Sequence, residues 1–180
     1  IRDSIPARDS AHMTCFTVTE LERKLALALD LPIYGCDPSL LHWGSKSGSR
    51  KIFKEAGLEL APGFEDLTDA EGVARALAQL KSENPRLAKA VVKINEGFSG
   101  EGNAVISLRD APQGQALLPW LRDKLPVMAF EAKGMTWDLY QSKLRAMGGI
   151  VEEFIPGEEK ESPSVQFRVD PLGRLEVLST

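Results

Sequence analysis

The run from Val91 to Ile106, VVKINEGFSGEGNAVI, sets Lys93 before a bend containing Gly97, Gly100 and Gly102, between two apolar, strand-like segments. Glycines at such a bend let the backbone take positive φ and approach a ligand closely, so consecutive N–H groups can point inward as an anion-binding nest. Lys93 supplies a point charge beside it, and the chemistry this suits is the clamping of phosphate oxygens. The plainer reading of the segment alone is a β-hairpin turn with a solvated lysine.

The segment has company along the chain. Lys46 stands near the start of a helix in GSKSGSRKIF, Glu152 and Glu153 stand on a strand in VEEFI, and Glu158 and Glu159 follow that strand. Common nucleotide motifs are absent: Trp43-Gly44-Ser45-Lys46-Ser47 lacks the first glycine of a P-loop, and Gly97, Gly100 and Gly102 are spaced G-x-x-G-x-G rather than as a dinucleotide fingerprint. His12 and His42 make no paired metal motif, Cys15 and Cys36 fit no metal-binding spacing, and no G-x-S-x-G elbow offers an acyl-transferring serine.

The elements that must position these residues can be read from periodicity and caps. Met13 to Val18 predicts a short buried strand leading to Thr19, which caps a helix with Glu22 three residues on; Leu21, Leu25, Ala28 and Leu29 share one face of that helix. Ser45 to Ala56 predicts a second helix with Ile52, Phe53 and Ala56 inward, Gly57 as its stop, and Arg50 and Lys51 as surface charges. Thr68 with Glu71 reads as a capping box for a third helix carrying Val73, Leu77 and Leu80.

Strands are expected at 90–94 and 104–108, then a helical stretch near 113–124 that Pro119 must start or kink. Thr136 caps a helix with Tyr140, Leu144 and Met147 on one face and Gly148-Gly149 as its stop. Strand-like runs close the sequence at 150–155, 164–169 and 174–178, the last two joined by the turn Asp170-Pro171-Leu172-Gly173. The order predicts an α+β fold of two lobes rather than one doubly wound sheet. Trp43, Trp120 and Trp137 read as core or lobe-interface residues, because no basic neighbours interleave with them as in a base-stacking platform.

Composition narrows the partners. The 180 residues are 43% apolar and 27% charged with a net charge of −4, and no Lys/Arg run forms the basic stripe a nucleic acid needs. Apolar runs are too short to span a bilayer and the N-terminus lacks a signal-peptide core, which predicts no nucleic acid, no membrane and a cytoplasmic location. A start at Ile1 and an ending on a strand-like segment read as a piece of a larger protein.

The order of lysine, lysine, glycine loop and acidic strand resembles the ATP-grasp superfamily of carboxylate–amine ligases. A closer likeness, to peptide ligases of the pheganomycin type, rests on YGCDP near residue 34, GSKSGSRKIFKEAG and the ending SPSVQFRVDPLGRLEVLST, and covers about residues 20–180. The resemblance implies an ATP-grasp-like fold in which Lys46 and Lys93 contact the phosphates of ATP. It makes residues 96–103, with Gly97, Ser99, Gly100 and Gly102, the lid over those phosphates. Glu152 would then take the adenine amine, the backbone of Glu153 and Ile155 the base edge, and Glu159 the ribose.

It further implies residues 1–44 as the end of a preceding α/β region, 45–148 as the lid lobe and 149–180 as the hinge strand and start of the next lobe. Mg²⁺ is the implied second cofactor, with ligands beyond Thr180, so the piece alone is expected to be inactive. The implied reaction activates a small-molecule carboxylate as an acyl phosphate that an amine attacks, with the remainder of the parent chain as partner. A nucleotide-binding module without turnover and a kinase of the same superfamily are the alternatives.

Overall fold

The computed structural model describes residues 1–5, 7–97, 100–157, 159, 161, 163–170 and 172–179. Its centre is a five-stranded sheet made from β3 (Gly63–Leu67), β4 (Lys89–Ile94), β5 (Asn103–Ser107), β6 (Ala129–Phe130) and β7 (Gly149–Glu153), in the order β3-β7-β4-β5-β6 with each pair antiparallel. Two small pairs stand outside it: β1 (Met13–Thr14) runs parallel to β2 (Ile33–Tyr34), and β8 (Gln166–Val169) forms a hairpin with β9 (Leu175–Ser179). Asp170 Oδ1 accepts the N–H groups of Leu172 and Arg174, which fixes that turn.

Side chains alternate across a strand, and this separates core from site. Ala90, Val92 and Ile94 of β4 and Val151 of β7 join Val73, Leu77 and Leu80 of α3 (Ala70–Glu83), Leu117 and Leu121 of α4 (Leu117–Lys124), and Tyr140 and Leu144 of α5 (Trp137–Met147) in one core. Lys93, Ile150 and Glu152 occupy the opposite parity, and α2 (Lys46–Glu55) contacts β3 and β7 on that side. The mixed α+β class read from the sequence is therefore the class observed.

Local signals held in most places. The Thr19–Glu22 capping box starts α1 (Glu20–Leu29), Ser45 Oγ accepts the Gly48 N–H at the start of α2, and Thr136 Oγ1 accepts the Leu139 N–H at the start of α5. Gly57, at φ 70, ends α2 with the paired bonds Leu58 N–H to Phe53 O and Gly57 N–H to Lys54 O, a Schellman closure. Pro119 falls in the first turn of α4, where its missing N–H has no intrahelical partner to lose.

Several expectations are corrected. The cap of α3 is Asp69, whose Oδ1 accepts the Gly72 N–H at 2.7 Å, and not Thr68. Glu71 is thereby released from capping and accepts instead from Arg75 on its own helix and from Arg122 on α4. Ile52 and Phe53 are 41% and 43% exposed, because α2 presents Ser47, Gly48 and Arg50 inward and leaves its apolar residues along cavities. The 13–18 run contributes only two strand residues, neither buried, since its partner is the equally short β2.

Hydrogen bonds from Arg122 first, then from Arg75, lower the Glu71 carboxyl from 4.5 to about 2. A depressed folded-state value means that the link from α3 to α4 stabilises above the ordinary carboxylate range and fades as pH falls from about 4.5 toward about 2. The difference in thermal midpoint between the parent and Glu71→Gln is expected to be present at neutral pH, to shrink through that window and to diminish with salt. A difference independent of pH would remove this assignment.

Candidate functional site

Three elements bring the chemistry together. Position 93 of β4 pairs with Ile150 of β7, so Glu152 is its diagonal neighbour, within reach of a long side chain. Lys93 Nζ and Glu152 Oε1 form an ion pair, and Glu152 Oε2 accepts from Arg50 Nη1 at 2.8 Å. Arg50 also donates through Nε to Glu65 Oε1 at 2.7 Å and through Nη2 to Ala61 O at 2.9 Å, while only 5% of the residue is exposed. Placing Arg50 at the surface was thus wrong: it is the buried centre of a cluster with Glu65, Glu152, Lys93 and Lys54. Burial pushes the Glu65 carboxyl up, but hydrogen bonds from Lys54 and Arg50 outweigh it and leave the group below its ordinary value.

Lys46, the first residue of α2, reaches across to the end of β4, where Nζ donates to Ile94 O at 2.9 Å and to Asn95 O at 3.3 Å. Burial, then the neighbouring charge of Lys93, holds its ammonium below the ordinary lysine value against the pull of Glu152 and Glu96. Asn95 locks the same corner. Its Oδ1 accepts from the Ser47 N–H at 3.0 Å and Ser47 Oγ at 2.8 Å, and its Nδ2 donates to Met147 O at 3.0 Å. Sequence reasoning missed Asn95, which carries no motif; its one signal was its place directly after a buried strand.

Lys46, Lys93, Gly97 and Glu152 line one cavity of about 820 Å³, with Ser45, Asn95 and Glu96 beside them and Leu41, Phe53, Leu60 and Ile150 as an apolar wall. The remaining candidates lie elsewhere. Gly102 sits at the base of the β4–β5 hairpin, its carbonyl accepting from the Ile94 N–H and from Tyr140 Oη, and a side chain on Gly97 would meet Gly102 N at 2.8 Å. Gly100, at φ 85, rests against the Glu131 carboxylate. Glu153 N–H donates to Pro62 O and its carboxylate accepts from Asn84, so neither its N–H nor its side chain is directed at the cavity. Ile155 and Glu159 are exposed beyond the sheet. Ser99 lies outside the described residues.

Trp137 stacks beside Tyr140 and packs, half-buried, against the core, as does Trp120, which carries Lys124 over its ring. Among the described residues no group of three or more His, Cys, Asp or Glu could hold a metal ion, and no helix is long and apolar enough to cross a membrane.

A family model described as IQCH-like, ATP-grasp, matches residues 39–119, which span Lys46, Lys93 and the glycine loop. That match supports an ATP-grasp superfamily assignment. The chain is similar to IQ motif-containing protein H of Danio rerio, 23% identical over 208 residues, covering 99% of this chain and 20% of that protein. It thus spans about a fifth of that relative's length. Among solved structures, D-alanyl-alanine synthetase A of Vibrio cholerae O1 biovar eltor str. N16961 overlaps 87% of this chain and 38% of its own, at 10% identity and a TM-score of 0.45.

Proposed function

We propose that the cavity between α2 and the sheet binds ATP, with Lys46 and Lys93 on the phosphates, and that the chain is the ATP-binding part of a peptide-type carboxylate–amine ligase acting through an acyl phosphate. One observation carries the reading: two ammonium groups face one cavity, and burial plus mutual repulsion makes the charged form of Lys46 costly there. A polyanion bridging them removes that cost. The positive end of the α2 dipole, where Lys46 stands, adds favourable potential at the same place. Leu41, Phe53, Leu60 and Ile150 offer an apolar slot for a base.

Glu152, whose two oxygens are held by Arg50 and Lys93, serves in this reading to orient Lys93 rather than to receive an adenine amine. The carboxylates of the cluster are committed to cations, and the described residues do not fit a Mg²⁺ site. That commitment favours a second reading, a nucleotide-binding module without turnover.

Calorimetric titration with ATP tests the binding common to both. Lys93→Ala and Lys46→Ala are each expected to weaken it about ten- to a hundredfold, the worth of a charge-assisted phosphate contact of roughly 1.5–3 kcal/mol. Lys89→Ala, whose ammonium lies over the Phe154 ring, should leave it unchanged. Because ligand binding favours the protonated form of Lys46, affinity should fall as pH rises through that group's lowered value. Equal effects of Lys93→Ala and Lys89→Ala would end the phosphate assignment, and ADP release that depends on an added amine would decide for the ligase over the module.

A further inference from the structure

We infer that Cys15 and Cys36 form a thiol pair that closes to a reversible disulfide by exchange with a low-molecular-weight disulfide such as oxidised glutathione, a modification site that stands apart from the nucleotide reading. They are the only cysteines of the chain, and both carry free thiols. The fold brings them to adjacent strand ends. β1 and β2 run parallel with Thr14 opposite Tyr34; Cys15 follows the first directly, and Cys36 stands two residues beyond the second. Parallel neighbours lie about 4.8 Å apart and rise about 3.3 Å per residue, so one step out of register puts the two Cα atoms about 6 Å apart, inside the roughly 4.4–6.8 Å that a disulfide spans.

Strict alternation along both strands would send the two side chains to opposite faces. The chain bends at Gly35, between Tyr34 and Cys36, and both cysteines line one hollow of about 940 Å³. The two segments do not part beyond the strands: a Cβ on Gly35 would stand 2.4 Å from Val18 Cγ2, so the chain after β1 packs directly on the chain after β2. Cys36 is exposed and Cys15 half-buried, so a dissolved disulfide meets Cys36 first. The Cys36 thiolate attacks one sulfur of oxidised glutathione and releases one glutathione, which takes up the proton that Cys36 gave; Cys15 then attacks the Cys36 sulfur of the mixed disulfide and releases the second. Two protein thiols are oxidised and one glutathione disulfide is reduced to two glutathiones. The closed bond ties the 15–18 segment to the head of the Pro38–Gly44 turns, and both wall the larger polar cavity through Phe16, Thr17, Leu41 and Gly44.

Mass spectrometry of the native protein equilibrated with reduced and oxidised glutathione decides it. The expected product is a monomer lighter by two hydrogens and restored by dithiothreitol. The ratio of closed disulfide to double glutathione adduct should be at least about tenfold higher for the native protein than for the chain unfolded in guanidinium, where the thiols meet only by random loop closure. Cys15→Ser should stop at a lasting glutathione adduct on Cys36, because no second thiol displaces it. Amides of α1, which the bond encloses, should exchange with deuterium at least about threefold more slowly in the oxidised protein. Native protein that accumulates two glutathione adducts, joins two chains, or closes no more readily than the unfolded chain would overturn the pair.

Discussion

Replacing Arg50 by methionine is expected to cost the fold about 3–5 kcal/mol, the range found when one partner of a buried charge cluster is deleted. Glu65 and Glu152 have side chains only 13% and 14% exposed, and each loses a hydrogen bond from the same guanidinium. Lys54 and Lys93 remain as partners of Glu65 and Glu152, but the Ala61 carbonyl loses the bond from Arg50 Nη2. Arg50→Lys should recover little, because a single ammonium cannot serve three acceptors in a fixed fork. Combining Arg50→Met with Glu65→Gln and Glu152→Gln should return part of the loss by removing the stranded charges. Denaturant midpoints decide it: a change below about 1 kcal/mol for Arg50→Met would make it the solvated surface charge that its place in GSRK suggests.

The second large effect is at Gly48, where two principles oppose one another. By helix propensity, glycine to alanine inside a helix gains about 0.5–1 kcal/mol. Here the added Cβ would stand 2.1 Å from His42 O and 2.7 Å from Trp43 Cα, both backbone atoms that no rotamer can move. Gly48→Ala must therefore push α2 away from the Pro38–Gly44 turns, at a cost of about 1–3 kcal/mol or more that outweighs the propensity gain. It should also weaken ATP, since Ser45 and Lys46 sit on the displaced turn. Thermal unfolding of Gly48→Ala beside the parent protein gives the sign, and a raised midpoint would show that the helix does not pack as described.

What the sequence by itself determined was local and periodic. The capping box at Thr19, the side-chain cap at Thr136, the stops at Gly57 and Gly148, and the apolar alternation of β4 all act within a few residues, so their physics is written in neighbouring letters. The association of Lys46 with Lys93 was implied by the resemblance of their order beside the glycine loop to the ATP-grasp pattern, and both line one cavity.

Tertiary structure decided the rest, because burial and charge pairing join residues far apart in the chain. Arg50 finds Glu152 across 102 positions, and nothing near GSRK shows that its guanidinium will be enclosed. Glu152 and Glu153 look alike in sequence, yet strand alternation sends the first into the Arg50 cluster and the second to Asn84. Asn95 is an ordinary turn residue until the start of α2 and the end of α5 both meet it. Ile52 and Phe53 follow helical spacing as core residues would, but α2 meets the sheet through Ser47, Gly48 and Arg50, so the direction of its inward face was set by what it packs against.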